Sequence, residues 1–266
     1  MSEIRAIFNS SGYKALIAYL TVGYPSIETT MEIVPAIASS GCDLVELGIP
    51  FSDPLADGTT IQNSSYQALK QGVTPELCLK VAGKLSTKVN IPLVFMTYYN
   101  PVFNYGLDAF CHDCAGSGVS GLIIPDLPPE EGTELESSSL KHNLDLIYLL
   151  APTSTSERID MVAVRSRGFI YLVSMTGVTG SRNRLPQGLE SFVSRVRQRT
   201  SQPLCVGFGI SNAAQARRVA KVADGVIVGS RLIQLLEEDD ASSKVRSFVH
   251  SLRDALSNHV KNNISS

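Results

Sequence analysis

Apolar and polar positions alternate along the chain in two rhythms. Short runs of aliphatic and β-branched residues recur between longer stretches with helical spacing. Eight runs read as strands: ALIAYLT (15–21), DLVELGI (43–49), IPLVFMT (91–97), GLIIPD (121–126), LDLIYLL (144–150), GFIYLVS (168–174), PLCVGFG (203–209) and DGVIVGS (224–230). Helical patterns follow them, at Ser26–Ser40, up to about Lys88, from about Leu107, over Glu130–His142, from a cap at Ser156, up to Thr200, from about Asn212 and from about Ser243. Nearly unbroken apolar strands joined by helical crossovers are the pattern of a parallel sheet covered on both faces. Eight such units in 266 residues predict an α/β fold, a (β/α)8 TIM barrel of eight parallel strands. The expected organisation is one domain over 1–266, with a short N-terminal segment 1–14 and a C-terminal helix at about 243–264. A doubly wound open sheet is the alternative. It normally carries GxGxxG after its first strand, and LTVGYPS does not match.

A barrel carries its chemistry at the C-terminal ends of its strands, so the residues predicted there are the candidates. Glu46 sits inside the apolar LVELGI with period two, opposite in direction to Val45 and Leu47. A carboxyl pointing into the barrel has its pKa raised by desolvation, which suits a group that gives and takes a proton. Asp57 follows on a loop among Ala56, Gly58 and two threonines, where a more solvated, ionised carboxylate is expected. Two carboxyls in unlike surroundings make an acid/base pair. Asp53, between Ser52 and Pro54, fits an Asx-turn that shapes the loop as well as it fits chemistry. Glycine clusters TGVTG, GFG and GS follow the sixth, seventh and eighth strands. They predict a phosphate site of backbone N–H groups, with the Ser230 hydroxyl added. No lysine falls at a strand end, which argues against Schiff-base chemistry. All four histidines lie in helical stretches, which argues against a histidine metal site or triad.

Composition narrows the partners. The formal net charge is −2 and 18% of residues are charged, with no basic stripe for nucleic acid or an anionic membrane. No run approaches a membrane span, and the N-terminus has no apolar signal core. Five scattered cysteines suit free thiols in a reducing compartment, and the lone CxxC at Cys111–Cys114 reads as helix packing.

In order, the blocks LVELGIPFSDPLADGTTIQ, FMTYYNPVF, GLIIPDLPPEE, GFIYLVSMTGVTGSR, VGFGIS and DGVIVGS resemble the tryptophan synthase α-subunit family, from Ala15 to about Leu236. The resemblance implies a retro-aldol cleavage of indole-3-glycerol phosphate to indole and glyceraldehyde 3-phosphate. It implies no cofactor in this subunit, and a β-subunit partner carrying pyridoxal phosphate in an α2β2 heterotetramer. Glu46 and Asp57 match the family's catalytic acids. Tyr19, Ile61, Met96, Ile123 and Tyr171 match its indole pocket. Gly180, Gly207, Phe208, Gly209, Gly229 and Ser230 match its phosphate site. Thr179 lies in its mobile loop, and Asp53 in the region facing the β-subunit. The cytoplasm is the expected compartment, or a plastid stroma if the gene is organellar. The chain departs from the family at Thr59, where proline is usual and whose loss implies a looser loop, and at Arg231, where a small residue is common. Its short N-terminus implies a truncated leading helix. A stand-alone lyase and a non-catalytic regulator of the β-subunit are the alternative functions. Intact Glu46, Asp57 and TGVTG argue against the regulator.

Overall fold

A computed structural model describes residues 1–173, 188–207 and 209–264. Nine strand segments form one all-parallel sheet. They are β1 (Ala15–Thr21), β2 (Leu44–Gly48), β3 (Leu93–Met96), β4 (Val119–Ile123), β5 in two pieces (Asp145–Ile147 and Leu149–Leu150), β6 (Ile170–Val173), β7 (Leu204–Gly207) and β8 (Gly225–Val228). From β1 the sheet runs one way through β2, β3 and β4 to the first piece of β5. The other way, it runs through β8, β7 and β6 to the second piece. Tyr148 alone separates the two pieces, and its carbonyl accepts a hydrogen bond from the Tyr171 N–H at 3.0 Å. The nine segments are therefore the eight expected strands, with the fifth interrupted where the sheet closes on itself as a barrel.

Side-chain direction follows period two around the ring. Ile17, Leu44, Val94, Ile123, Ile147, Tyr171, Cys205 and Ile227 fill the interior. Leu16, Val45, Leu47, Leu93, Leu122, Leu172 and Val226 face the helices and join a second, larger core with them. Leu44 and Glu46 thus share the inward face, as the alternation predicts.

Capping side chains open several of the helices. Ser26 caps α2 (Ile27–Ser39). Gly58 stands at the N-cap of α3 (Thr59–Lys70) with no side chain to offer. Thr74 caps α4 (Pro75–Ser86), where proline suits the first turn. Two short helices, α5 (Tyr99–Tyr105) and α6 (Leu107–Gly116), follow β3. The expected helix over 130–142 divides at Gly132 into a 3-10 turn, Pro129–Glu131, and α7, Thr133–Lys141. The cap of α8 (Ser156–Arg165) is Thr155, whose hydroxyl accepts from the Arg158 N–H; Ser156 is the first helical residue instead. Beyond the barrel's later strands lie α9 (Leu189–Arg197), α10 (Ala213–Ala220, capped by Asn212), α11 (Ser230–Leu235) and α12 (Ala241–Ile264). The last begins two residues before the expected Ser243.

The leading helix α1 is one turn, Glu3–Ala6, and it stoppers the N-terminal end of the barrel. Ile4 is fully buried in the interior cluster, beside Phe169 and Ile147. Ser2 caps α1 and donates to the buried Asp145. The barrel is thus plugged below and opens at the strands' C-terminal ends. Cys111 and Cys114 both face the core from α6, and burial pushes their thiols up, as ordinary packing cysteines require. Among the described residues, no helix is long and apolar enough to cross a membrane.

Candidate active site

At the open end, Glu46 is wholly buried in the middle of β2, paired in register with Tyr19 of β1 and Val94 of β3. Among the described residues, neither carboxylate oxygen has a hydrogen-bond partner. A native fold rarely leaves such a group unsatisfied, because an uncompensated buried charge costs several kcal/mol. Burial alone pushes the Glu46 pKa up to about 8, so the group carries its proton at neutral pH.

Asp57 lies at the tip of the loop after β2. Its own N–H closes a turn onto the Pro54 carbonyl at 3.1 Å. It is half-buried rather than freely solvated, and this corrects the expectation for it. Desolvation raises its pKa to about 6, and a hydrogen bond with Tyr98 works the other way. The expected order survives: Glu46 titrates above neutrality and Asp57 below it. Tyr98, the N-cap residue of α5, organises this corner. Its hydroxyl accepts the Ala56 N–H at 2.9 Å, and its ring stacks on Phe51 with centroids 5.3 Å apart. Burial and then the Asp57 charge push the Tyr98 phenol up, so it stays a neutral donor.

Two tyrosines wall the space beside Glu46. Tyr19 and Tyr171 are buried, and burial raises both phenols, with Asp57 and Glu46 adding to the shift. Each ring occupies room that a glycine vacates. A Cβ on Gly48 would fall 2.2 Å from Tyr19 Oη, and one on Gly207 would fall 2.6 Å from Tyr171 Oη. Gly207 therefore has a packing reason beyond the close approach of an anion. Gly229 likewise leaves room for Tyr19, whose Cβ would stand 3.2 Å from a Cβ there. Gly209 differs: its φ is +62° and nothing lies within 4 Å of where its Cβ would be, an open backbone suited to a ligand. Gly229 and Ser230 form the N-cap and first residue of α11, at the end of β8 and next to β7. Thr179, Gly180 and Phe208 lie outside the described residues.

Of the expected apolar pocket, Met96, Ile123 and Tyr171 come together in the interior cluster, and Tyr19 stands beside them at the β1 end. Ile61 sits apart, half-buried in the first turn of α3. A chain of hydroxyls links it to the barrel. Tyr19 Oη is 3.4 Å from Thr21 Oγ1, which is 2.6 Å from Ser64 Oγ, and the Ser64 hydroxyl donates to the Ile61 carbonyl at 2.9 Å. Thr21 and Ser64 are fully buried polar residues that pattern reading passed over. Their signal was a threonine and a serine on faces that pack together. Asp53 is exposed, with its carboxylate bonded to the neighbouring Ser52 hydroxyl and no Asx-turn bond among the described contacts. Arg231 pairs with Glu238 at 3.3 Å, which holds its charge along the flank of α11. Thr59 serves as an ordinary first residue of α3. Asp126, predicted at the end of β4, instead accepts the Tyr99 N–H at 2.8 Å and steadies the start of α5.

A parallel barrel with a protonated acid buried beside its open end, and an ionised carboxylate on the adjoining loop, is the architecture of a barrel enzyme, with a pair suited to proton transfer at its strand ends. Comparison with known proteins gives the family. The model of the family described as tryptophan synthase alpha chain matches residues 6–261. The tryptophan synthase alpha chain of Dehalococcoides mccartyi is 59% identical over 96% of this chain and all of its own length. That of Roseiflexus sp. is 49% identical over 95% of this chain and 98% of its own. A solved tryptophan synthase of Mycobacterium tuberculosis superposes with a TM-score of 0.90 at 40% identity, covering 96% of this chain and 98% of the other. The tryptophan synthase subunit alpha of Legionella pneumophila superposes at 0.89 and 33% identity, covering 97% and 99%. The chain belongs to the tryptophan synthase alpha chain family.

Proposed function

We propose that this chain cleaves indole-3-glycerol phosphate into indole and glyceraldehyde 3-phosphate, with Glu46 as the acid/base and Asp57 as its charged partner. The observation that carries this reading is Glu46: a fully buried carboxyl, protonated at neutral pH, beside an apolar pocket and with neither oxygen partnered among the described residues. Glu46 delivers its proton to indole C3, which becomes tetrahedral and weakens its bond to the glycerol chain. Asp57, ionised, holds the ring N–H and stabilises the positive charge that develops there. The carbon–carbon bond then breaks as the 3′-hydroxyl gives its proton back to Glu46 and becomes the aldehyde oxygen. Indole leaves, and the acid is restored. The ring lies among Tyr19, Met96, Ile123 and Tyr171, and Ile61, set apart on α3, is proposed to border the pocket from the helix side. The phosphate lies against Gly207, Gly209, Gly229 and Ser230, together with Gly180 and Phe208. Thr179 is taken as the residue that helps to position Asp57.

The reaction needs no cofactor in this chain. Pyridoxal phosphate belongs to the β-subunit, which condenses the indole with serine to L-tryptophan. We take the whole chain, 1–266, as one domain that pairs with β in an α2β2 heterotetramer, in the cytoplasm. An apolar patch beside Asp53 supports the partnership: Leu55 is 93% and Tyr66 54% exposed, next to Phe51 and Pro54.

The deciding experiment is indole release by the purified chain, with and without the β-subunit. We expect a weak rate alone and a strong rate with β. Glu46→Gln removes the general acid, and its rate falls by roughly 10²–10⁴-fold or more with the fold intact. Release by that variant near the parent rate would show the acid/base assignment to be wrong. A rate that β leaves unchanged would point to a lyase that works on its own.

A further inference from the structure

We propose that Gln62, on the first turn of α3, is the positioning residue that holds the Asp57 loop in its working shape. Its side-chain amide donates to two carbonyls of that loop, Asp57 O at 2.9 Å and Pro54 O at 3.3 Å. These are the two ends of the turn Pro54–Asp57, which the Asp57 N–H already closes at 3.1 Å. One NH2 group with two protons thus fastens both ends of the turn that carries the carboxylate. The main-chain N–H of the same residue bonds to Gly58 O at 2.9 Å, so Gln62 closes the first turn of α3 and anchors the loop at once. The loop needs this anchor. An N-cap residue commonly ties a loop to its helix through its side chain, but the N-cap here is Gly58, which makes no such bond. The Tyr98 hydroxyl holds the turn from the barrel side through the Ala56 N–H. Gln62 holds it from the helix side.

The consequence concerns the carboxylate more than the fold. Gln62 is itself exposed and buries no core surface. What it fixes is the depth of Asp57 against the barrel mouth, and that depth keeps its carboxyl at about 6. Tyr98, the N-cap residue of α5, acts on Asp57 through a hydrogen bond, and the Asp57 charge in turn bears on Tyr19 of β1 and Tyr171 of β6, both of which Glu46 also faces. Substitution at position 62 leaves all four in place. The proposal rests on the reading of Asp57 as the charged partner of Glu46.

The test uses the full chain with the β-subunit. Gln62→Met keeps length and neutrality and removes both donors. The freed loop lets water reach Asp57, so the acid limb of kcat/KM moves from about 6 toward the ordinary carboxyl value of 3.8. At the same time kcat falls roughly ten- to hundredfold, the scale of an ångström of misplacement at a reacting centre. A variant whose acid limb stays put and whose kcat stays near the parent value overturns the proposal, whatever happens to Tm. Asp57→Asn is measured alongside. If it is inactive while Gln62→Met behaves as the parent, only the role of Gln62 is wrong. If Asp57→Asn keeps the parent rate, the reading of Asp57 falls, and the proposal falls with it.

Discussion

Glu46 pays for its availability in stability. Burial raises its carboxyl from 4.5 to about 8 in the folded protein. Below the unfolded value both states carry the proton and folding bears no penalty. As pH rises from there, the unfolded chain ionises while the folded one does not, and stability is lost progressively until the folded group ionises near 8. Glu46→Gln has no such titration. The variant is therefore expected to be more stable than the parent by on the order of 3 kcal/mol at pH 7, with the gain vanishing toward pH 4. Urea unfolding at the two pH values measures it, and an equal stability difference at both would contradict the raised pKa of the buried Glu46 carboxyl. The same two carboxyls shape activity in the proposed reaction. That reaction needs Asp57 ionised and Glu46 protonated, so kcat/KM of the free enzyme should rise through about 6 and fall through about 8. A profile flat across that range would remove this pair from the chemistry.

Strands and helices set where those residues can act, and much of this was legible beforehand. The inward direction of Glu46 follows from period two in LVELGI, and eight apolar runs follow from the buried parallel sheet. The depth of Asp57 was not legible. It depends on Tyr98, delivered from beyond β3 to a loop beyond β2, a long-range contact with no local mark. Nor did spacing reveal why β2 ends in glycine. Gly48 follows Glu46 on the inward face, and the Tyr19 ring fills the place of its missing side chain. Gly48→Ala should force that ring off its seat. The expected cost is about 1–3 kcal/mol of stability from overpacking, with a lower kcat/KM as the apolar wall moves. Thermal unfolding and indole-release kinetics test both. An alanine variant with parent Tm and parent kcat/KM would mean that Tyr19 relaxes without consequence. Gly207, expected to serve an anion, has the same packing duty under Tyr171. Glycines at strand ends are ambiguous in sequence because both uses require the same missing atom.

At the scale of the whole molecule, the barrel has two unlike ends. Below, α1 drives Ile4 into the interior and closes it. Above, the loop after β2 carries Asp57 and the exposed Leu55, and Tyr98 from beyond β3 steadies it. The same short loop, 50–58, bears Asp57 toward the barrel and Leu55 toward solvent, 93% exposed. A partner that covers Leu55 therefore touches the segment whose shape sets Asp57, and the route from interface to carboxylate is three residues long. Leu55→Asp places a charge where an apolar contact is expected and has no native burial to lose. Its affinity for the β-subunit should fall tenfold or more, about 1.4 kcal/mol, with Tm unchanged. Titration of the variant with β by calorimetry reads the affinity directly. Parent affinity in Leu55→Asp would move the docking surface off this loop, and any activation by β would then have to reach Asp57 through a different element.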